Sequence, residues 1–187
     1  MIAETLRSLQ AAWRLACFDV KGLAQFDISV GGFWRSFFAA VVALPIYAIA
    51  LIPQLERATD GALFLTVEAI HYVAAWTAFP LVMIPVVRFL RLTPRYIPYI
   101  IAVNWTSVLQ LVLFLPLNGL ALFGSLQGDG GALLFTLALT LSCIYRYFVA
   151  RVALETTMGT ALALVALDVV LGLLLTGLFD QLYQVLV

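Results

Sequence analysis

Two residues in the stretch TVEAIHYVAAW invite a chemical reading: Glu68 and His71, the latter the only histidine in the chain. Three residues apart on a helix, they share one face. A carboxylate beside an imidazole that titrates near neutrality is a natural proton-handling pair. Asn104, Gln110 and Asp168 lie in later apolar runs, and Arg146 near the end of another. Glu-x-x-His is also the ligand spacing of di-iron bundles, but such a centre needs two of these motifs and two further carboxylates. One histidine leaves that set unfilled. Intramembrane hydrolysis would need a Ser/His pair or an HExxH helix, and neither pattern is found. We therefore expect no catalytic residue, no metal and no cofactor, and we do not expect an enzyme.

The elements that hold these groups are apolar throughout. The chain has 187 residues, 64% hydrophobic and 11% charged, with a mean hydropathy of +1.08. A soluble domain is about half apolar and a quarter charged, and a chain this short has too little interior to hide the excess. The expected solvent is lipid. Zero net charge points away from nucleic acid. Cys17 and Cys143 fall at different expected depths, so both are read as free thiols acting as small apolar groups. The opening MIAETLRSLQ lacks the order of a signal peptide, and no lipidation motif is evident at either end.

Five segments are long enough to cross a hydrocarbon core, near 33–53, 62–87, 97–115, 131–151 and 158–179; a crossing takes about 20 helical residues. The fold expected is an all-α integral membrane protein of five transmembrane helices plus an N-terminal amphipathic helix. Residues 1–30 form that helix and a link, and 31–187 the bundle. Continuous apolar runs, without ten-residue alternation, argue against a barrel. Pro80 and Pro85 give a reason for a kink in the second span, whose freed carbonyls could line a cavity. The turn signal PLNG, Pro116 to Gly119, is expected to end the third.

Loop charges orient the bundle. One side holds Arg7, Arg14, Lys21, Arg35, Arg88, Arg91, Arg95, Arg146 and Arg151, and the other holds Arg57 alone. The positive-inside rule then puts the N-terminus in the cytoplasm and the C-terminus in the periplasm or outside the cell. A bacterial inner membrane is the expected location. Trp34, Tyr96, Tyr99, Tyr145 and Tyr147 fall near the inner surface and Tyr183 near the outer, as interfacial aromatics do.

Ile2, Leu6, Leu9, Trp13, Cys17 and Val20 recur at steps of three and four, with Arg7, Arg14 and Lys21 opposite. This amphipathic helix suits the plane of the cytoplasmic leaflet and equally suits packing under the bundle or against a partner. The stretch GLAQFDISVGGFW is expected to be an irregular link, with Gly31 and Gly32 at the turn.

A rise of 1.5 Å per residue gives depths for the buried polar groups. Glu68 falls level with Gln110, His71 with Asp168 near the midplane, and Asn104 with Arg146. An unpaired carboxylate there costs about 2.5–3.5 kcal/mol, so these groups should face the interior. Glu68, His71, Tyr72 and Ala75 make one stripe, and Asp168, Gly172 and Thr176 make a small, polar one that allows close helix approach. Asn104 and Ser107 form a third ridge. Arg146 can snorkel to the cytoplasmic surface. Interhelical hydrogen bonding and a proton or substrate path both account for this set.

Five short-looped spans, a cytoplasmic N-terminus and no soluble domain resemble the Yip1-like family of small polytopic membrane proteins. The closest local similarity is the third span, YIPYIIAVNWTSVLQLVLFLP, which looks like that family's small or aromatic pair followed by an apolar run ending in proline. The resemblance covers residues 30 to 180. The chain lacks the acidic-Leu-Tyr-Gly-Pro stretch of the eukaryotic members, so a trafficking role is not carried over. The family implies a non-enzymatic protein that works through partners, and it assigns no catalytic residue here. The expectation is an accessory, scaffold or assembly component acting through helix–helix contacts with a membrane-protein partner or with further copies of itself. The alternative is a small channel or proton-coupled transporter using Glu68, His71 and Asp168.

Overall fold

The computed structural model describes residues 2–122 and 129–186, and the elements among them are helical. In chain order they are α1 (Ile2–Ala16), α2 (Val30–Ser36), α3 (Phe38–Leu55), α4 (Gly61–Phe89), α5 (Tyr96–Leu122), α6 (Asp129–Ala153) and α7 (Met158–Leu186). Short 3₁₀ turns at Val20–Gln25 and Thr93–Arg95 link α1 to α2 and α4 to α5. Five stretches are long and apolar enough to cross a membrane: Val30–Leu55, Gly61–Phe89, Thr93–Leu117, Gly130–Ala153 and Met158–Leu186.

The expected boundaries differ from the observed ones at α7, which runs on to Leu186 rather than ending near 179, and in three further places. The first stretch is two helices, α2 and α3, parted at Phe37. Gly31 and Gly32 lie inside α2 rather than in a turn, and Ser29 caps that helix by accepting from the Gly32 N–H at 3.0 Å. A Cβ on Gly32 would stand 1.9 Å from the Asp27 carbonyl oxygen, so the link can fold back only against a glycine. Finally, α5 runs through Pro116 to Leu122. Pro116 withholds an N–H from the Val112 carbonyl, a single loss that long apolar helices tolerate, and the expected PLNG turn is helical backbone.

Helices α1 and α4 stop without glycine. Phe18 (φ 59°) and Arg91 (φ 58°) take the left-handed conformation. The Asp19 N–H reaches the Arg14 carbonyl at 2.9 Å and the Leu92 N–H reaches Val87 at 2.7 Å. Both are the six-to-one bonds of a Schellman stop.

Helix α5 is central, packed on α3 and α6 along its length and on α1 and α2 near its start. Helix α4 leans on α7 and only lightly touches α3 and α5, while α7 returns to α6. The five long helices thus form a ring whose weakest seam lies between α3 and α4. The densest core lies toward the α1 end, where Leu15, Met83, Val87, Ile100, Val149 and Leu154 are fully buried. Outward faces stay apolar, as in Leu133, Leu137, Leu141, Leu173 and Leu174; hydrocarbon, not water, suits such a surface.

On α1 the buried face is Ser8, Ala11, Ala12 and Leu15, whereas Ile2, Leu6 and Trp13 of the expected apolar stripe are exposed. The small residues let the helix lie close against α5. Tyr145 pins it by donating to the Ala12 carbonyl at 2.6 Å, and Glu4 pairs with Arg35 of α2 at 2.7 Å. Packing and an open apolar stripe therefore coexist on different faces of one helix.

Candidate functional site

Above the dense core the ring encloses a cavity of about 320 Å³, walled by α4, α5, α6 and α7 with Tyr47 from α3. Its polar lining includes His71, Asn104, Ser107, Gln110, Ser142, Arg146 and Asp168. Its apolar lining includes Trp76, Phe79, Leu111 and Phe114. Four of the five expected site residues reach this one space. Glu68 does not, and it lines an apolar groove between α3 and α4.

The pairings within the site are not the expected ones. Asp168 meets Arg146 of α6 at 2.5 Å instead of His71. Arg146 therefore does not snorkel away as an interfacial cation. Its guanidinium is mostly buried, as is the carboxylate, and each is the other's remedy for lost hydration. Asn104 donates to Ser36 Oγ at 2.8 Å, and that hydroxyl in turn donates to the Phe33 carbonyl at 2.7 Å. Helical rise alone places Asn104 level with Arg146. It supplies height along the bundle axis, while the partner depends on rotation about each helix.

Gln110 donates through Nε2 to Ser142 Oγ at 2.7 Å and to the Ser142 carbonyl at 3.2 Å. Two acceptors on that side fix the amide's orientation. The other amide atom, Oε1, is buried and has no hydrogen-bond partner among the described residues, in a residue only 6% exposed. An acceptor taken from water and left unpaired costs about 1–3 kcal/mol. Gln110 lines the cavity, but Oε1 itself has almost no surface open to it.

Glu68 accepts from the Tyr47 hydroxyl at 2.5 Å and sits 3.3 Å from His71 Nδ1. His71 also stacks on Phe179 of α7, ring centroids 5.0 Å apart. This cluster ties α3, α4 and α7 together near the far end of the cavity. Tyr72 donates to the Ala40 carbonyl at 2.6 Å, and its ring lies 4.6 Å from that of Tyr47. Pro80 has no N–H to offer the Trp76 carbonyl, and both residues are on the wall. The helix itself runs unbroken from Gly61 to Phe89.

Sequence reasoning missed Tyr47, Ser36, Ser142 and Phe179. Ser142 carried a usable signal, as a hydroxyl four residues before Arg146 on the same helical face. Tyr47 and Phe179 carried none, because an aromatic in an apolar run is ordinary. The expected small stripe also divides. Asp168 faces the cavity, while Gly172 and Thr176 are exposed, and a Cβ on Gly172 would meet nothing within 4 Å. The basic residues Arg14, Arg35 and Arg95 pair with Asp19, with Glu4 and Asp27, and with Glu155. Arg151 donates to the Thr156 carbonyl. Among the described residues no three His, Cys, Asp or Glu side chains come together to hold a metal ion.

No family model, curated protein or solved structure matches this chain. Function therefore rests on the geometry of the cavity.

Proposed function

We propose that this is a multi-pass membrane protein that holds a small hydrogen-bonding ligand inside its helix bundle, as a non-enzymatic binding or transport protein. The observation that carries the reading is the cavity itself, large enough for more than water and lined by His71, Asn104, Ser107 and an internally neutralised Arg146–Asp168 pair. A bundle that used its polar groups only to hold helices together would close them on one another. This one leaves about 320 Å³ open beside them, the lower end of the range of ligand sites. With Arg146 inside the bundle, an eight-to-one charge bias remains, and it supports a cytoplasmic N-terminus in a cell membrane.

Stopped-flow light scattering on proteoliposomes under a glycerol gradient tests this. Glycerol should equilibrate faster than in protein-free vesicles, and Asp168→Asn should abolish the gain by leaving Arg146 unpaired in the path. Identical rates with and without protein would sink the transport form of the reading, and an unchanged tryptophan emission on glycerol titration would sink binding too.

A second reading is favoured by α7. Gly172 and Thr176, one turn apart on an apolar helix, are exposed, with open space where a Gly172 side chain would be, and small residues of that kind let another helix approach. An accessory or scaffold component, joined to a membrane-protein partner or to further copies, would use that face. The Yip1-like resemblance points the same way. Crosslinking at Gly172→Cys in native membranes tests it, with a discrete higher-mass species expected; a monomer alone would remove its support.

A further inference from the structure

Resting on the cavity reading above, we propose that the ligand is a neutral hydrogen-bond donor, a polyol or a primary amide, and that His71 Nε2 accepts from it. Glu68, outside the cavity, is the positioning residue. It holds the imidazole proton on Nδ1 and so leaves Nε2 as a bare lone pair.

The tautomer follows from the partners of Glu68. An ionised carboxylate accepts and cannot donate. Its Oε2 accepts from the Tyr47 hydroxyl at 2.5 Å and lies 3.3 Å from His71 Nδ1. The proton of that second contact is therefore on Nδ1, and in a neutral ring Nε2 then carries none. Phe179 stacks on one face of the ring, 25° from parallel. Three helices thus orient one imidazole: α3 through Tyr47, α4 through Glu68 and α7 through Phe179.

The free nitrogen is open. Nε2 bonds nothing among the described residues. Yet it is not one of the buried side-chain atoms left without a partner there, which are Gln25 Oε1 and Gln110 Oε1, so it keeps accessible surface. His71 lines the cavity, whereas Glu68, on the Nδ1 side, lines the groove between α3 and α4. The edge of the ring left for the cavity is the one that bears Nε2.

Asn104 offers a second acceptor. Its Nδ2 donates to Ser36 Oγ, whose own proton goes to the Phe33 carbonyl, so the amide is fixed with Oδ1 as the free atom. Oδ1 likewise bonds nothing among the described residues and is not one of the buried, unpartnered atoms. The hydroxyls of the wall meanwhile direct their protons into the protein: Tyr47 to Glu68, Tyr72 to the Ala40 carbonyl and Ser107 to the Val103 carbonyl. Arg146 is the cationic donor of the wall, and Asp168 meets its charge. A ligand that brings O–H or N–H groups satisfies such a wall. An anion would meet lone pairs, and a cation would arrive beside Arg146.

His71 is the only histidine in the chain, so its ring can be followed alone. The full chain, isotope-labelled at its histidine nitrogens and held in phosphatidylcholine nanodiscs, is titrated with glycerol at about pH 8 and followed by nitrogen NMR. The expected spectrum has a proton-bearing Nδ1 and a lone-pair Nε2. Glycerol should move Nε2 saturably toward the proton-bearing range and leave Nδ1 in place. Dimethyl sulfoxide, which accepts but cannot donate, should move neither. Glu68→Leu should let the proton exchange between the nitrogens and draw the two signals together. Glycerol binding should then weaken about twofold or more, as the competent tautomer falls to half or less. Signals unmoved by Glu68→Leu would remove Glu68 from the proposal. The unaltered chain tests the rest however that variant folds. A proton on Nε2, a doubly protonated ring, or equal shifts with dimethyl sulfoxide would overturn the assignment. If glycerol crosses proteoliposomes while Nε2 stays unmoved, His71 is not the acceptor and the cavity reading stands. If glycerol neither crosses nor moves the signal, both fail.

Discussion

The two halves of the bundle are built from the same helices and finished differently. Toward the α1 end, α4, α5 and α6 bring Met83, Ile100 and Val149 together with essentially no exposed surface. The Ser36 hydroxyl there is partnered by Asn104 and Phe33, while Gln25 Oε1 in the link is buried without a partner among the described residues. Toward the other end the same helices diverge around a cavity, one buried acceptor goes unpaired, and α3 and α4 are held by two tyrosine hydroxyls. Close packing gains stability at every contact. A region that forgoes it, within a protein that achieves it a few turns away, is what the proposed binding role would use.

The largest effect that would sharpen this contrast is at the ion pair. Asp168→Asn strands the Arg146 guanidinium in the open half, and breaking a buried pair costs about 3–5 kcal/mol. Because both side chains keep some exposure, the lower end is expected. Thermal unfolding in mild detergent should show it, and Arg146→Met together with Asp168→Leu should recover most of the loss. A double variant as unstable as the single one would mean that the pair does more than neutralise itself.

Next come two truncations that should differ by position alone. Ile100→Ala empties space in the closed half and should cost about 2–5 kcal/mol, transfer plus cavity. Leu111→Ala only widens a space that already exists, so about 1–2 kcal/mol of lost burial is expected. Equal losses in unfolding midpoint would erase the distinction between the halves.

Much of this division was written in the sequence, though in unequal parts. Apolar run lengths located the five long helices, because nothing else satisfies backbone groups in hydrocarbon. The polar residues at depth were also legible, and four of the five expected site residues do share one cavity. Their partners were not, since periodicity gives the face of one helix but not its rotation against another. That is why Asp168 was levelled with His71 and meets Arg146 instead. The stops at Phe18 and Arg91 were hidden for a different reason, as neither left-handed residue is a glycine. The apolar stripe of α1 was visible, but the face that packs is set by Ser8, Ala11 and Ala12, whose smallness has no periodic signature.

A smaller effect separates a satisfied amide from an open one. Gln110→Leu removes the unpaired Oε1 along with the bond to Ser142. The two changes oppose each other, so unfolding should shift by less than about 1 kcal/mol. Asn104→Leu, in contrast, breaks a fully partnered chain to Ser36 and should cost about 1–3 kcal/mol by leaving that hydroxyl with one partner fewer. A loss at Gln110 as large as at Asn104 would show that Oε1 is already satisfied in the folded protein, and the open half would then be closed.

The smallest expected effect lies outside the bundle, where polar groups are partnered in water. Hydrogen bonding to Arg14 holds the Asp19 carboxyl below its ordinary range, and the Ser29 backbone N–H does the same for Asp27. For a carboxyl whose folded value is depressed, the stability it adds is present above the unfolded value of about 3.9 and fades as pH falls through the lower folded one. Acidification from pH 6 to pH 2 should therefore loosen the link between α1 and α2 only below about pH 4. Emission from Trp13 and Trp34, both exposed near that link, should report the change while helical circular dichroism of the bundle holds steady. Asp19→Asn with Asp27→Asn should flatten the emission profile. Simultaneous loss of both signals would tie the link to the core instead, making the N-terminal segment part of the closed half and not a partner resting against it.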